Sequence, residues 1–196
     1  MKNKDKSSFL YRVAIARKVN AVFSLVCTFL ILVHGGYDAL WMFMRGKLPN
    51  LPKQFARILL VIVVIHVVLS IVTAILGSKG KTKKDEKMYA KPNKETLLQR
   101  VLAILIVLML PLHIIGMGNH LNPKILHSIL HPIMFFAVYA HTGISFNKAL
   151  ITLGIGDAKL INVLGIVAKV VCMLLFVASV IGLYFVMYGK WLGWEK

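Results

Sequence analysis

Residues 58–77, ILLVIVVIHVVLSIVTAILG, form a run of twenty in which His66 is the only ionisable side chain. About 20 apolar residues in a helix cross about 30 Å of hydrocarbon. A helix satisfies its own backbone hydrogen bonds in lipid, whereas a lone strand does not. In water the Val- and Ile-rich pattern would suggest a buried strand; length and the lipid setting override that. Similar runs recur, and they predict spans at about 19–43, 57–77, 97–117, 126–147 and 160–187. The expected fold is all-α, a polytopic membrane protein with one domain and a bundle of five transmembrane helices. The composition agrees: 58% of the 196 residues are hydrophobic and mean hydropathy is +0.76. A soluble domain of this size must keep a polar surface and rarely reaches such values.

The first span follows a Lys-rich start, as a signal peptide does. Its apolar run is too long and no small-residue cleavage site follows, so it is expected to be retained. The formal net charge of +17 raises nucleic-acid binding, which the distribution of charge argues against. Six basic residues precede span one and eight lie from Lys79 to Arg100, beside spans rather than on a soluble face. The positive-inside rule then puts the N-terminus and the basic loop 79–96 in the cytoplasm. The C-terminus falls outside the cell membrane, where Trp191 and Trp194 suit an interfacial anchor. The basic loop serves topology and attraction to anionic lipid, or docks a cytoplasmic partner.

Cys27 and Cys172 stand in separate spans without a CxxC or CxxCH pattern. Covalent haem attachment and iron–sulfur ligation are therefore unsupported, and both read as small core residues. No repeat of 20–50 residues is present, and the Lys-rich loop is the only biased segment.

His34, His66, His113 and His141 fall inside four different spans. Ionisable groups in a membrane are costly and usually functional. A single one is ordinarily an imidazole hydrogen-bonded between helices; four suggest bis-histidine ligation of haem in a helix bundle. Depth sorts them. His34 lies about 24 Å, and His113 about 25 Å, from the cytoplasmic ends of their spans. His66 and His141 lie about 16 Å and about 10 Å from theirs. Two levels are what two stacked haems need. His131 also lies about 25 Å deep and competes with His113, and spacing does not separate the two. His120 and His127 belong near the outer loop.

The chain resembles the five-helix, two-haem cytochrome b anchors of succinate:menaquinone oxidoreductases and fumarate reductases. The segments that carry the resemblance are LLQRVLAILIVLMLPLH, with Gln99, Arg100 and His113, and AHTGISFNKALITLGI, with His141. ILVHGG, with His34, and VVIHVVLS, with His66, match more loosely. The resemblance implies that His34 and His113 bind a distal haem b, while His66 and His141 bind a proximal one. His131 has no ligand role in that pattern and becomes an outer-leaflet helper. Some positions depart from it. Phe23 and Leu102 with Ala103 replace small residues, Ser145 replaces a glycine, and Tyr139 stands where some fumarate reductases carry an acid. A proton path through that helix is not expected.

Haems with both axial positions filled carry electrons rather than oxygen chemistry. Asn20, Gln99, Arg100 and Lys148 could reach propionates, with interfacial snorkelling the ordinary reading, favoured for Lys148. Asp38, the only acid inside a predicted span, shares a helical face with His34. With Tyr37, Trp41 and His131 it makes a candidate quinone pocket, or else it pairs with Arg45 or Arg57. Lys169 is expected to be a buried charge, neutralised by a propionate or by Asp38. By the resemblance, an iron–sulfur subunit and a flavoprotein subunit dock on the cytoplasmic side, menaquinone binds from the outer half, and this chain alone completes no reaction. The rival readings are a cytochrome b serving another quinone-linked or metal-reducing complex, and a haem-free proton or metal transporter. The transporter is opposed by the paired depths, the scarcity of buried carboxylates and the lack of Gly/Pro-broken helices in matching halves.

Overall fold

The computed structural model describes residues 3–44, 47–49, 53–79, 94–116 and 129–189. Arg45, His120, His127, Trp191, Trp194 and most of the basic loop lie outside them. The described residues form five helices: α1 (Asn3–Phe43), α2 (Lys53–Lys79), α3 (Lys94–Gly116), α4 (His131–Leu153) and α5 (Ala158–Gly189). The fold is all-helical, as the apolar runs require.

Four of the helices contain segments long and apolar enough to cross a membrane: Ser8–Phe43, Gln54–Gly77, Lys94–Ile114 and Ala158–Phe185. This is the composition of a membrane protein. Helix α4 is not among the four. It is as long as α3, 23 residues or about 35 Å, but His131, His141, Asn147 and Lys148 dilute its apolar character. Helix α1 exceeds expectation in the other direction. It continues through Arg12, Arg17 and Lys18 to Asn3, so its 41 residues run about 62 Å, twice the thickness of hydrocarbon.

The chain runs up and down. Ser70 of α2 donates to Asn20 of α1, and Gly77 lies beside the Arg17 guanidinium, so α2 returns antiparallel to α1. Thr96 meets Lys148 near one end of the α3–α4 pair and His113 meets His131 at the other. Gly182 of α5 sits against Ala39 and Met42 of α1. Hence α1, α3 and α5 begin at one end, here called the lower end. The packed pairs are α1 with α2, α4 and α5, and α4 with α3 and α5. Helices α1 and α4 form the centre, α5 covers them, and α2 and α3 flank.

The buried positions are mostly small: Ala21, Cys27, Ala39, Ala137, Gly143, Ala149 and Cys172. Small side chains let helix backbones approach closely, which is how helices associate in lipid. Both cysteines are free core residues, as expected. Large apolar side chains such as Ile58, Val61, Val68 and Ile71 face outward on α2. In water that would be an aggregation surface; in lipid it is the solvated face.

Helix α4 has clear punctuation. Pro132 occupies its first turn, where a missing N–H costs nothing. Gly154 ends it at φ 70°, with the Gly154 amide donating to the Ile151 carbonyl (3.2 Å) and the Ile155 amide to Leu150 (3.1 Å). Three residues later the Asp157 carboxylate accepts from the Leu160 amide at 2.7 Å and opens α5.

Candidate cofactor-binding site

Polar side chains gather at two heights. At the lower level, residues one turn apart on α3 face residues one turn apart on α4. Gln99 Nε2 donates to Ser145 Oγ at 2.8 Å. Lys148 Nζ donates to Gln99 Oε1 at 2.7 Å and to Thr96 Oγ1 at 3.1 Å. Lys148 was expected to snorkel; it is instead a bridge between two helices, because both acceptors lie within one turn of each other on α3. Ser145 supplies the acceptor for Gln99 and is buried. Leu102 is buried as well and occupies room that a smaller residue would leave open.

His141 lies on the same patch. Its Nδ1 is 3.1 Å from the Gln99 backbone carbonyl. A carbonyl only accepts, so the proton sits on Nδ1 and Nε2 keeps its lone pair. His66 lies on α2. Its ring interacts with the Asn20 backbone, while its Nδ1 is buried without a hydrogen-bond partner. The lower level therefore holds two pairs of residues singled out by sequence, His141 with Gln99 and His66 with Asn20. Arg100 is exposed nearby on α3.

At the upper level the expected pairs do not all form. His34 Nε2 lies 3.4 Å from Asp38 Oδ2, leaving His34 Nδ1 buried without a partner. Its ring centroid is 6.5 Å from that of Phe55. His113 Nδ1 lies 3.1 Å from His131 Nε2, and both rings line a small cleft with Met109, Leu112, Leu130 and Met134. The packing thus gives His34 to Asp38 and His113 to His131. Asp38 pairs along its own helix with His34, not with Arg57 of α2.

Tyr37 donates from its hydroxyl to the Pro49 carbonyl. Trp41 has its indole Nε1 buried and unpartnered. Between these groups and α5, Tyr139 Oη meets Ser179 Oγ at 3.2 Å. Tyr139 fits only because residue 35 is glycine: a Cβ there would stand 2.1 Å from the phenolic oxygen.

Lys169 is not the buried charge expected. Its side chain is 48% exposed, and its Nζ pairs with Glu95 Oε1 at 3.7 Å. It sits near the lower end of α5, level with the start of α3, so neither burial nor Asp38 applies.

The sequence reading missed Thr96, Ser70, Ser179 and Glu95. A signal for the first existed: Thr96 with Gln99 and Ser145 with Lys148 are polar pairs at i, i+3 on neighbouring helices, the spacing that puts two groups on one face. Among the described residues no group of three or more His, Cys, Asp or Glu side chains gathers into an all-protein metal site. Comparison with family models, with curated proteins and with solved structures finds no match to this chain.

Proposed function

We propose that this chain is the di-haem b membrane anchor of a succinate dehydrogenase or fumarate reductase complex, passing electrons between an iron–sulfur subunit and membrane menaquinone. The observation that carries the reading is the lower pair. His141 of α4 has committed Nδ1–H to the Gln99 carbonyl, and His66 on α2 reaches the Asn20 backbone with its Nδ1 buried and unpartnered. An axial histidine held this way keeps Nε2 for iron, with its ring orientation fixed from behind.

The residues fit a porphyrin. His141 would hold the group by Nε2, and His66 would do so once its ring turns from the Asn20 backbone. Lys148, with a third N–H beyond its two hydrogen bonds, and Arg100 supply positive charge for propionates. When bound, the group supplies one-electron transfer with no open position for oxygen. At the upper level His34 and His113 would be the ligands. Ligation through His34 Nε2 requires its ring to turn away from Asp38, which frees that carboxylate. Asp38 then faces the outer half with Tyr37 and the unpartnered Trp41 indole, and can hold a proton for a quinone oxygen while the indole donates to it.

In this reading α4 crosses the membrane with the other four helices. The N-terminus and basic loop lie in the cytoplasm, against anionic lipid and the iron–sulfur and flavoprotein subunits, and the C-terminus lies outside. The test is a reduced-minus-oxidised spectrum and a haem-to-protein ratio on the complex purified in mild detergent. Two haem b per chain are expected, and His66→Ala and His141→Ala should each remove one. A folded, colourless complex, or full pigment in both variants, would overturn the reading.

A further inference from the structure

We propose that the lower end of α1 is a docking arm for an acidic surface of a soluble partner subunit. Leu10, Tyr11 and Ile15 enter apolar recesses of that surface, and Arg12, Arg17 and Lys18 meet carboxylates around them. The inference rests on the proposed function for the partner's identity, the iron–sulfur subunit, and on the shape of α1 for everything else.

Length comes first. Helix α1 has 41 residues and runs about 62 Å. A bilayer with both headgroup layers takes about 45 Å, so about 17 Å of α1, about eleven residues, stands clear of lipid. The lower end is the one that does. Arg17 lies beside Gly77, two residues before α2 ends at Lys79, while α1 continues from Arg17 down to Asn3.

That segment keeps an apolar surface it has no lipid to cover. Tyr11 and Phe29 stand five full helical turns apart, so they lie on one line along α1. They are exposed to the same degree, 68% and 66%. Phe29, within the span, is solvated by lipid. Tyr11 is not, and Leu10 and Ile15 beside it are 49% and 44% exposed. Val13 is buried, so this part of the helix has a packed side and an open one.

The open side is not built to lie on a membrane. A helix resting among headgroups keeps its apolar and charged faces apart. Here Tyr11, Ile15 and Lys18 share one face, spaced four and three apart, and the exposed Arg12 follows Tyr11 directly. Aromatic residues and Arg together are what contacts between proteins are enriched in. A few such anchors, seated in pockets within a polar rim, carry most of the binding energy. Residues 8–20 hold three basic side chains and no acidic one. The complementary surface is therefore apolar at its centre and rimmed by Asp and Glu.

The test uses the intact complex, purified in mild detergent through a tag on this chain. A photoreactive benzophenone amino acid is placed at residue 11 or, as a control, at residue 29. Residue 11 should crosslink to the soluble subunit that copurifies one-to-one, and residue 29 to lipid. Tyr11→Glu should lower the ratio of that subunit to this chain about tenfold or more, the loss expected at an anchor. Arg12→Glu should slow reassociation and weaken its salt dependence. Phe29→Ala should leave the ratio at its wild-type value. Adducts at residue 11 with lipid alone or with a second copy of this chain would overturn the inference, as would an unchanged ratio in Tyr11→Glu. The function reading is judged apart: a colourless complex, or a crosslinked subunit without iron–sulfur clusters, overturns that reading and leaves the docking arm standing.

Discussion

Gly35→Ala is the sharpest perturbation available in the membrane core. A Cβ at residue 35 would lie 2.1 Å from Tyr139 Oη and 3.1 Å from its Cζ. Tyr139 is 3% exposed and its hydroxyl meets Ser179 at 3.2 Å, so retreat by about an ångström, roughly what ordinary contact distances demand, breaks that hydrogen bond. Overpacking costs about 1–3 kcal/mol. A hydrogen bond between helices in lipid adds about 0.6 kcal/mol. The variant should therefore lose about 1.6–3.6 kcal/mol. Tyr139→Phe alone should lose only about 0.6 kcal/mol. The double variant removes the oxygen that collides and leaves only the ring carbon, whose clash is relieved by a small shift. The two changes should then couple by about 1–2 kcal/mol in the favourable direction. Reversible unfolding in mixed micelles, followed by circular dichroism across the four proteins, measures the cycle. Additive losses, or a neutral Gly35→Ala, would refute the packing of α1 against α4.

Lys148→Met removes its two donations to α3 and should cost about 1–2 kcal/mol in the same unfolding assay. Gly154→Ala adds a side chain to open space, so its whole cost is the left-handed backbone, about 1 kcal/mol; Gly154→Asn should recover part of it. Glu95→Gln breaks an ion pair whose side chains are 56% and 48% exposed, and should move stability by less than about 1 kcal/mol.

Much of the architecture could be read from hydropathy. Helices α2, α3 and α5 begin and end within a few residues of the expected spans, since both are set by where polar residues resume. The two misplaced boundaries have different causes. Arg12, Arg17 and Lys18 end the apolar run of α1, but they are good helix formers and the backbone continues through them. On α4 the apolar run fades before Asn147, while the helix continues until Gly154 adopts the left-handed conformation. The site was legible one residue at a time and not in its pairings. Periodicity gives depth to about a turn, and His113 and His131 fall at one depth. Which atoms meet depends on the rotation of α3 against α4. The Lys169–Glu95 contact needs the packing of α5, which no local pattern encodes.

Helix α4 bears on how the protein is made. Its histidines, Asn147 and Lys148 are each expensive in hydrocarbon, so a chain emerging into the bilayer has little reason to leave this segment there by itself. Helix α3 is synthesised just before it and already carries Thr96 and Gln99, the acceptors for Lys148. In the proposed five-span topology the pair is suited to enter as a preformed hairpin, and biogenesis of the fourth segment becomes conditional on the third. A chain deleted for residues 94–116 should then leave its fourth segment accessible to glycosylation or protease on a single side, a defect of insertion rather than of stability.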